Sequence, residues 1–308
     1  VAGGVTSSGV VGDSFAAVRT RLLAPSWLVL LFFMFAPMVV MLIYSFLTKE
    51  FRGGVIWSFS LGAYDQFFLD RGLFGDEPPK IEWTYITIFM RSIWQALAAT
   101  VLCLLIGFPT AYFIATRPVS QRTAWLFLIT VPYWVNLLIR TVSMKFLIRD
   151  NGPLNEALLA IGLIDSPLAL INTDFAVQLG LFYSYLPFMV LPLYASIERY
   201  DFTLSEAAAD LYASRPAVLF RVVVPSVKPG LVAGCILVFV PSLGAFLAPD
   251  LLGGAKNFMI GSLIEEQFKG NAGNWPFGAA VSMILLTIVM LVLLVMARSR
   301  TRDVGSAA

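Results

Sequence analysis

Six stretches of this chain run for 17 to 27 residues without an Asp, Glu, Lys or Arg: 22–48, 92–116, 123–139, 175–197, 229–249 and 271–297. About 20 consecutive apolar residues cross the hydrocarbon core of a bilayer as a helix. Inside lipid only helices and closed barrels satisfy their own backbone, and these runs lack the alternation of barrel strands. The reading is an all-α integral membrane protein with six transmembrane helices, the third of them the shortest. Composition supports it. Charged residues make up 13% of the chain, against about 25% in soluble domains. No stretch is left for a separate soluble domain. The first run is too long for a cleaved signal peptide, and no small-x-small site follows Leu47. Histidine is absent, which removes imidazole acid–base chemistry and the commonest metal ligand. Cys103 and Cys235 sit in apolar runs and read as small buried residues, not as a disulfide or a metal site. No nucleic-acid partner is expected.

With the N-terminus inside, the inner segments are 1–21, 117–122, 198–228 and 298–308. They hold 11 of the 21 basic residues, among them Arg19, Arg21, Arg117, Arg122, Arg215 and Arg298. The positive-inside rule then places both termini in the cytoplasm. The expected organisation is a flexible N-terminus over 1–21, a transmembrane domain over 22–297 and a cytoplasmic tail over 298–308. The N-terminal segment is rich in Gly, Ser and Val and reads as loosely ordered.

One inner segment, 198–228, is longer than a connection requires. It contains EAAADLYASRPAVLFRVVVP, from Glu206 to Pro225. Thr203 and Glu206 have the spacing of a capping box, so a helix is expected to start there. Ala207, Ala208, Ala209 and Leu211 favour its propagation. Pro216 can open a second short helix and Pro225 can close it. Periodicity alone allows either a plain connecting loop or a surface built for a partner.

The residues themselves narrow this. Glu206-Ala207-Ala208, followed at a distance by Phe220-Arg221 and Pro225, resembles the EAA signature of importer-type ABC permeases. Tyr212 departs from it, standing where that family has glycine. A residue with a Cβ is disfavoured at positive φ, so the helix is expected to continue through Tyr212 or to turn with ordinary dihedrals. IGFPTAYFIATRP (106–118), VPYWVNLLIRTVSMKFLIRDNGPLN (131–155), LPFMVLPLYASIERYD (186–201) and PSLGAFLAPDLLGGAKNFMIGSLIEEQF (241–268) are similar to the polyamine branch of these permeases. The similarity is nearest to the first of the two permeases of spermidine/putrescine importers. It implies that 198–228 carries a coupling helix, with Glu206, Ala207, Ala208, Asp210, Leu211, Tyr212 and Ala213 docking on an ATPase. The sequence contains no G-x-x-x-x-G-K-[ST] phosphate-cradling loop. The resemblance therefore implies no cofactor in this chain, ATP–Mg on two partner ATPase subunits, a second and non-identical permease, an extracytoplasmic solute-binding protein, and a place in the lipid of a bacterial inner membrane.

A cationic solute crossing such a chain needs carboxylates and aromatic faces on its route. Asp250, in SLGAFLAPDLLGG, is read as ending the fifth span. Pro241 and Pro249 interrupt helical bonding there, and Gly253 and Gly254 allow a turn. Asp250 is a candidate on the route, or else an acid at a helix end in water. Tyr133, Trp134, Tyr183, Tyr185 and Phe246 are the candidate aromatics, with interfacial or packing roles as the alternative. Arg91 and Lys145 read as snorkelling span-end cations, whereas Arg140 is open between snorkelling and holding a carboxylate. Gly230 and Gly234 form a G-x-x-x-G, the pattern of close helix contact. Two other readings compete, a self-contained secondary transporter and a membrane scaffold. The first predicts acids and inverted repeats within the spans.

Overall fold

The computed structural model describes residues 8–50, 54–70, 80–269 and 273–305. They form two compact units, one from the two ends of the chain, up to Phe67 and from Phe268, and one from Phe68–Gln267.

In the first unit, α1 (Ser8–Tyr44) packs against α13 (Trp275–Gly305). The backbone is helical from Ser8; residues 1–7 of the segment expected to be flexible lie outside the described residues. After α1 a short hairpin forms from β1 (Leu47–Lys49) and β2 (Val55–Phe59). The turn helix α2 (Gly62–Phe68) follows, and Phe46 stacks on Phe59 at 5.5 Å between centroids. The Tyr64 hydroxyl donates to Ser45 Oγ at 2.9 Å. At the head of α13, Asn274 Oδ1 accepts the Phe277 N–H at 3.2 Å. Trp27 to Phe35 along α1 remain exposed, as an apolar helix surrounded by lipid would be.

The second unit is built on α3 (Trp83–Ala115), α7 (Asp174–Glu198) and α11 (Lys228–Leu243), which pack on one another. A second small hairpin, β3 (Leu69–Asp70) with β4 (Lys80–Ile81), precedes α3. The two hairpins are a minor departure from the all-α expectation. Close approach of helices explains the small residues at their contacts. A Cβ on Gly230 would lie 2.1 Å from Ser196 Oγ and 2.6 Å from the Pro192 carbonyl oxygen. At Gly234 it would lie 2.8 Å from Met189 Sδ. The G-x-x-x-G is thus the seat of α11 on α7. Cys103, Ala111, Ile114, Met189, Leu193 and Val238 fill the space between them.

The third charge-free run is not one straight helix. Helix α4 (Val119–Trp134) stops at extended residues Val135 and Asn136, and α5 (Leu137–Ile148) leaves at 90° together with α6 (Pro153–Ala160). Asn136 caps α5, its side chain accepting the Leu138 N–H at 2.8 Å. The chain also bends just ahead of the fifth run. A helical stretch over Arg215–Ser226 meets α11 at 74°. Among the described residues, four helices are long and apolar enough to cross a membrane, or up to six if each bent pair counts as one span.

Candidate functional site

The insert between α7 and α11 is ordered from its first residue. Helix α8 (Thr203–Asp210) begins where the sequence suggested, but Thr203 is not its cap. The N-cap position is Phe202, and Asp201 just before it binds the first helical amide instead: its Oδ1 accepts the Thr203 N–H at 3.0 Å. Bonds from the Thr203 hydroxyl and from its N–H hold the Asp201 carboxyl below the ordinary carboxylate range. The Asp201 carboxylate therefore keeps its charge to a lower pH than a free aspartate would.

Helix α8 ends at Asp210, and Tyr212 follows with φ of 60°. This corrects the expectation of ordinary dihedrals. The physical reason is the hydrogen bonding that the left-handed residue permits. The Tyr212 N–H donates to the Ala209 carbonyl at 2.9 Å, and the Ala213 N–H donates to the Ala208 carbonyl at 3.1 Å. These are the two bonds of a Schellman motif, built here without glycine. As a result Leu211 and Tyr212 form the tip of the turn, 83% and 98% exposed. Glu206, Ala207 and Asp210 are exposed on the same short helix, while Ala208 and Ala213 are half-buried.

The return arm is α9 (Arg215–Val218), a π-helical turn over Leu219–Val223, and α10 (Val224–Ser226). Pro225 lies within this stretch and does not end it, which corrects the sequence reading. Proline lacks an N–H and crowds the carbonyl four residues before it. A wider π turn just ahead of Pro225 accommodates that loss without a break. The arm is anchored by Val223 and Val227, both buried with Ile114, Ala115, Leu193 and Ile197 of α3 and α7. Tyr200 and Phe202 meet edge-on at 5.2 Å, and the Tyr200 hydroxyl bonds Ser205 Oγ at 2.7 Å.

The candidate route residues separate into two groups. Tyr133 and Tyr185 converge on Phe188, with ring centroids at 5.1 and 6.3 Å. Tyr185 and Phe246 share a cavity of about 110 Å³ with Thr141 and Ser184. Trp134 is 78% exposed and meets Phe127 instead. Tyr183 lies two residues from Tyr185, about 200° around a helix with 3.6 residues per turn, and so points away from the cluster. Asp250 does not end the fifth span. Helix α11 stops at Leu243, and Asp250 belongs to a separate π turn, Pro249–Gly253, packed against α7. Gly254 closes it at φ of 63°. The Asp250 side chain is exposed.

Two cations singled out in the sequence sit otherwise than expected, Arg91 in an ion pair and Arg140 buried without a carboxylate. Arg91 does not snorkel. It holds Asp174 Oδ1 at 3.0 Å and Asn257 Oδ1 at 2.5 Å, and it donates to the Lys256 carbonyl. Gln95 joins at 2.7 Å from the same Asp174 oxygen. The signal was an Arg and an acid at the ends of two apolar runs, which spacing alone cannot pair. Arg140 is only 6% exposed. Its guanidinium stands over the Tyr133 ring at 5.5 Å, and Nε and Nη1 have no protein acceptor among the described residues.

Comparison with known proteins completes the picture. Residues 107–302 match the family model of the binding-protein-dependent transport system inner membrane component. The chain is 42% identical over 269 residues to the spermidine/putrescine transport system permease protein PotB of Escherichia coli, covering 87% of this chain and 92% of that one. It is 36% identical over 294 residues to the protein of the same name in Haemophilus influenzae, covering 94% and 96%. Among solved structures it resembles a chain of a bacterial ABC transporter that imports the acidic polysaccharide alginate, with a TM-score of 0.64 at 17% identity over 95% of this chain and 98% of that one. It also resembles a chain of the inward-facing MetNI methionine ABC transporter, with a TM-score of 0.52 at 16% identity over 70% and 94%. At these identities the structural likeness is one of fold.

Proposed function

The chain belongs to the binding-protein-dependent transport system inner membrane components, and from that premise we propose that it is a six-span permease subunit of an ATP-driven importer of polyamines. Both termini and the insert lie in the cytoplasm in this reading, and each bent helix pair counts as one span. The substrate class follows the spermidine/putrescine permeases to which the chain is 42% identical. ATP–Mg is held by two partner ATPase subunits, a solute-binding protein delivers the cargo outside, and a second permease completes the pathway.

The observation that carries the reading is the insert's shape. Its inner face is packed on α3 and α7, while Glu206, Leu211 and Tyr212 are exposed among the described residues. A rigid arm then links that tip to the membrane helices. Force on α8 passes through α9 and α10 to the bend at Val227, and from there to α11. The glycine contacts at Gly230 and Gly234 seat α11 directly on α7 backbone and side chains. Close-packed contacts transmit displacement because interiors are barely compressible. Helix α7 in turn carries Tyr185 and the turn that holds Asp250, so docking can reposition the candidate route. On that route Tyr133, Tyr185 and Phe246 offer aromatic faces to a cation, and Asp250 offers a charge.

Purification of the chain from its native membrane tests the reading. A co-purifying ATPase and a second permease are expected. A lone chain that transports on its own, driven by an ion gradient, would make it a secondary transporter instead.

A further inference from the structure

A groove of about 690 Å³ opens between the end of α3 and the insert. Its size falls within the roughly 300–1,000 Å³ typical of small-ligand pockets. One wall is Phe108, Tyr112 and Phe113 of α3, inside the second apolar run. The other wall is Ala209, Val218 and Leu219 of the insert. Among the described residues no acid lines it, and the one charged lining residue is Arg215. A second cation stands beside it: the Arg117 guanidinium lies 4.1 Å from the centre of the Phe113 ring. Both arginines are exposed. The groove therefore runs from an apolar wall to a cationic rim.

We propose that this groove seats an acyl chain of an anionic phospholipid, with the phosphate held by Arg117 and Arg215. An ATPase subunit is a poorer match, because it would meet the insert from water at Leu211 and Tyr212, whose exposed side chains do not line the groove. Arginine suits phosphate through its planar fork of donors, and basic pockets between helices at the cytoplasmic side favour anionic headgroups. The lipid would pack between α3 and the insert and support the angle at which α8 is presented. The proposal rests on the cytoplasmic placement of the insert.

The test is native mass spectrometry of the full-length chain in detergent, titrated with phosphatidylglycerol or with phosphatidylcholine. The wild-type chain is expected to retain phosphatidylglycerol preferentially. Joint Arg117→Gln and Arg215→Gln replacement should weaken that retention roughly 30-fold, at one surface charge interaction per arginine. Ala209→Trp, which fills the groove and leaves both arginines, should exclude the lipid as well. Equal retention of the two lipids by the wild-type chain overturns the proposal, as does undiminished phosphatidylglycerol binding in the glutamine variant. Glu206→Lys should bind the lipid normally, so a failure of ATPase docking and a failure of lipid binding are read separately.

Discussion

Tyr212 holds a backbone conformation that glycine adopts freely and that costs a residue with a Cβ about 1–2 kcal/mol. The two hydrogen bonds that close α8 contribute roughly 0.5–1.5 kcal/mol each, enough to hold it there. Sequence reasoning weighed only the steric cost and so expected the turn to avoid positive φ. The identity of the residue was legible; the bonds that outweigh its strain join groups that only the fold brings together. Tyr212→Gly should relieve the strain and slow hydrogen–deuterium exchange of the amides of Tyr212 and Ala213. Unchanged or faster exchange would show that the left-handed turn is not strained. Arg140 teaches the same lesson. Its place after the shortest apolar run was visible, but its burial over Tyr133 depends on the chain turning sharply between α4 and α5.

At the scale of elements, charge-free runs located the apolar segments well and their directions poorly. Such a run counts residues and is blind to a bend. The third run contains Pro132 and the helix-capping Asn136, which together mark the 90° break in retrospect. The fifth run hid the stop at Leu243, so Asp250 was assigned to a helix end it does not occupy. The glycine pair was read correctly, because small residues four apart state a packing requirement directly. Gly230→Ala tests that contact. The new Cβ would meet the Pro192 carbonyl oxygen at 2.6 Å, and backbone cannot swing aside as a long side chain can. The expected cost is about 1–3 kcal/mol, seen as a lower thermal unfolding midpoint of the purified chain. An unchanged midpoint would mean that α11 does not sit as closely on α7 as described.

For the whole molecule, the apolar runs and the EAA-like insert made both the fold class and the family legible. The route for solute was less so, because a pathway is a property of several helices together. Of six candidate residues, Tyr133, Tyr185 and Phe246 fall in or beside one cluster, whereas Trp134 and Tyr183 do not. Asp250 is tested by Asp250→Asn, which keeps the shape and removes the charge. Polyamine uptake should fall while the chain still assembles with its partners. Uptake at the parent level would remove Asp250 from the route.

The central claim is that an ATPase drives this chain through the exposed face of the insert. The most direct measurement is spermidine uptake into proteoliposomes holding the complete complex, with ATP supplied to the ATPase side, for the wild-type chain and for Glu206→Lys. ATP-dependent uptake by the wild-type complex is expected, with loss of both uptake and substrate-stimulated ATP hydrolysis in the variant and membrane insertion intact. ATP-driven uptake at the wild-type rate in Glu206→Lys would contradict the claim.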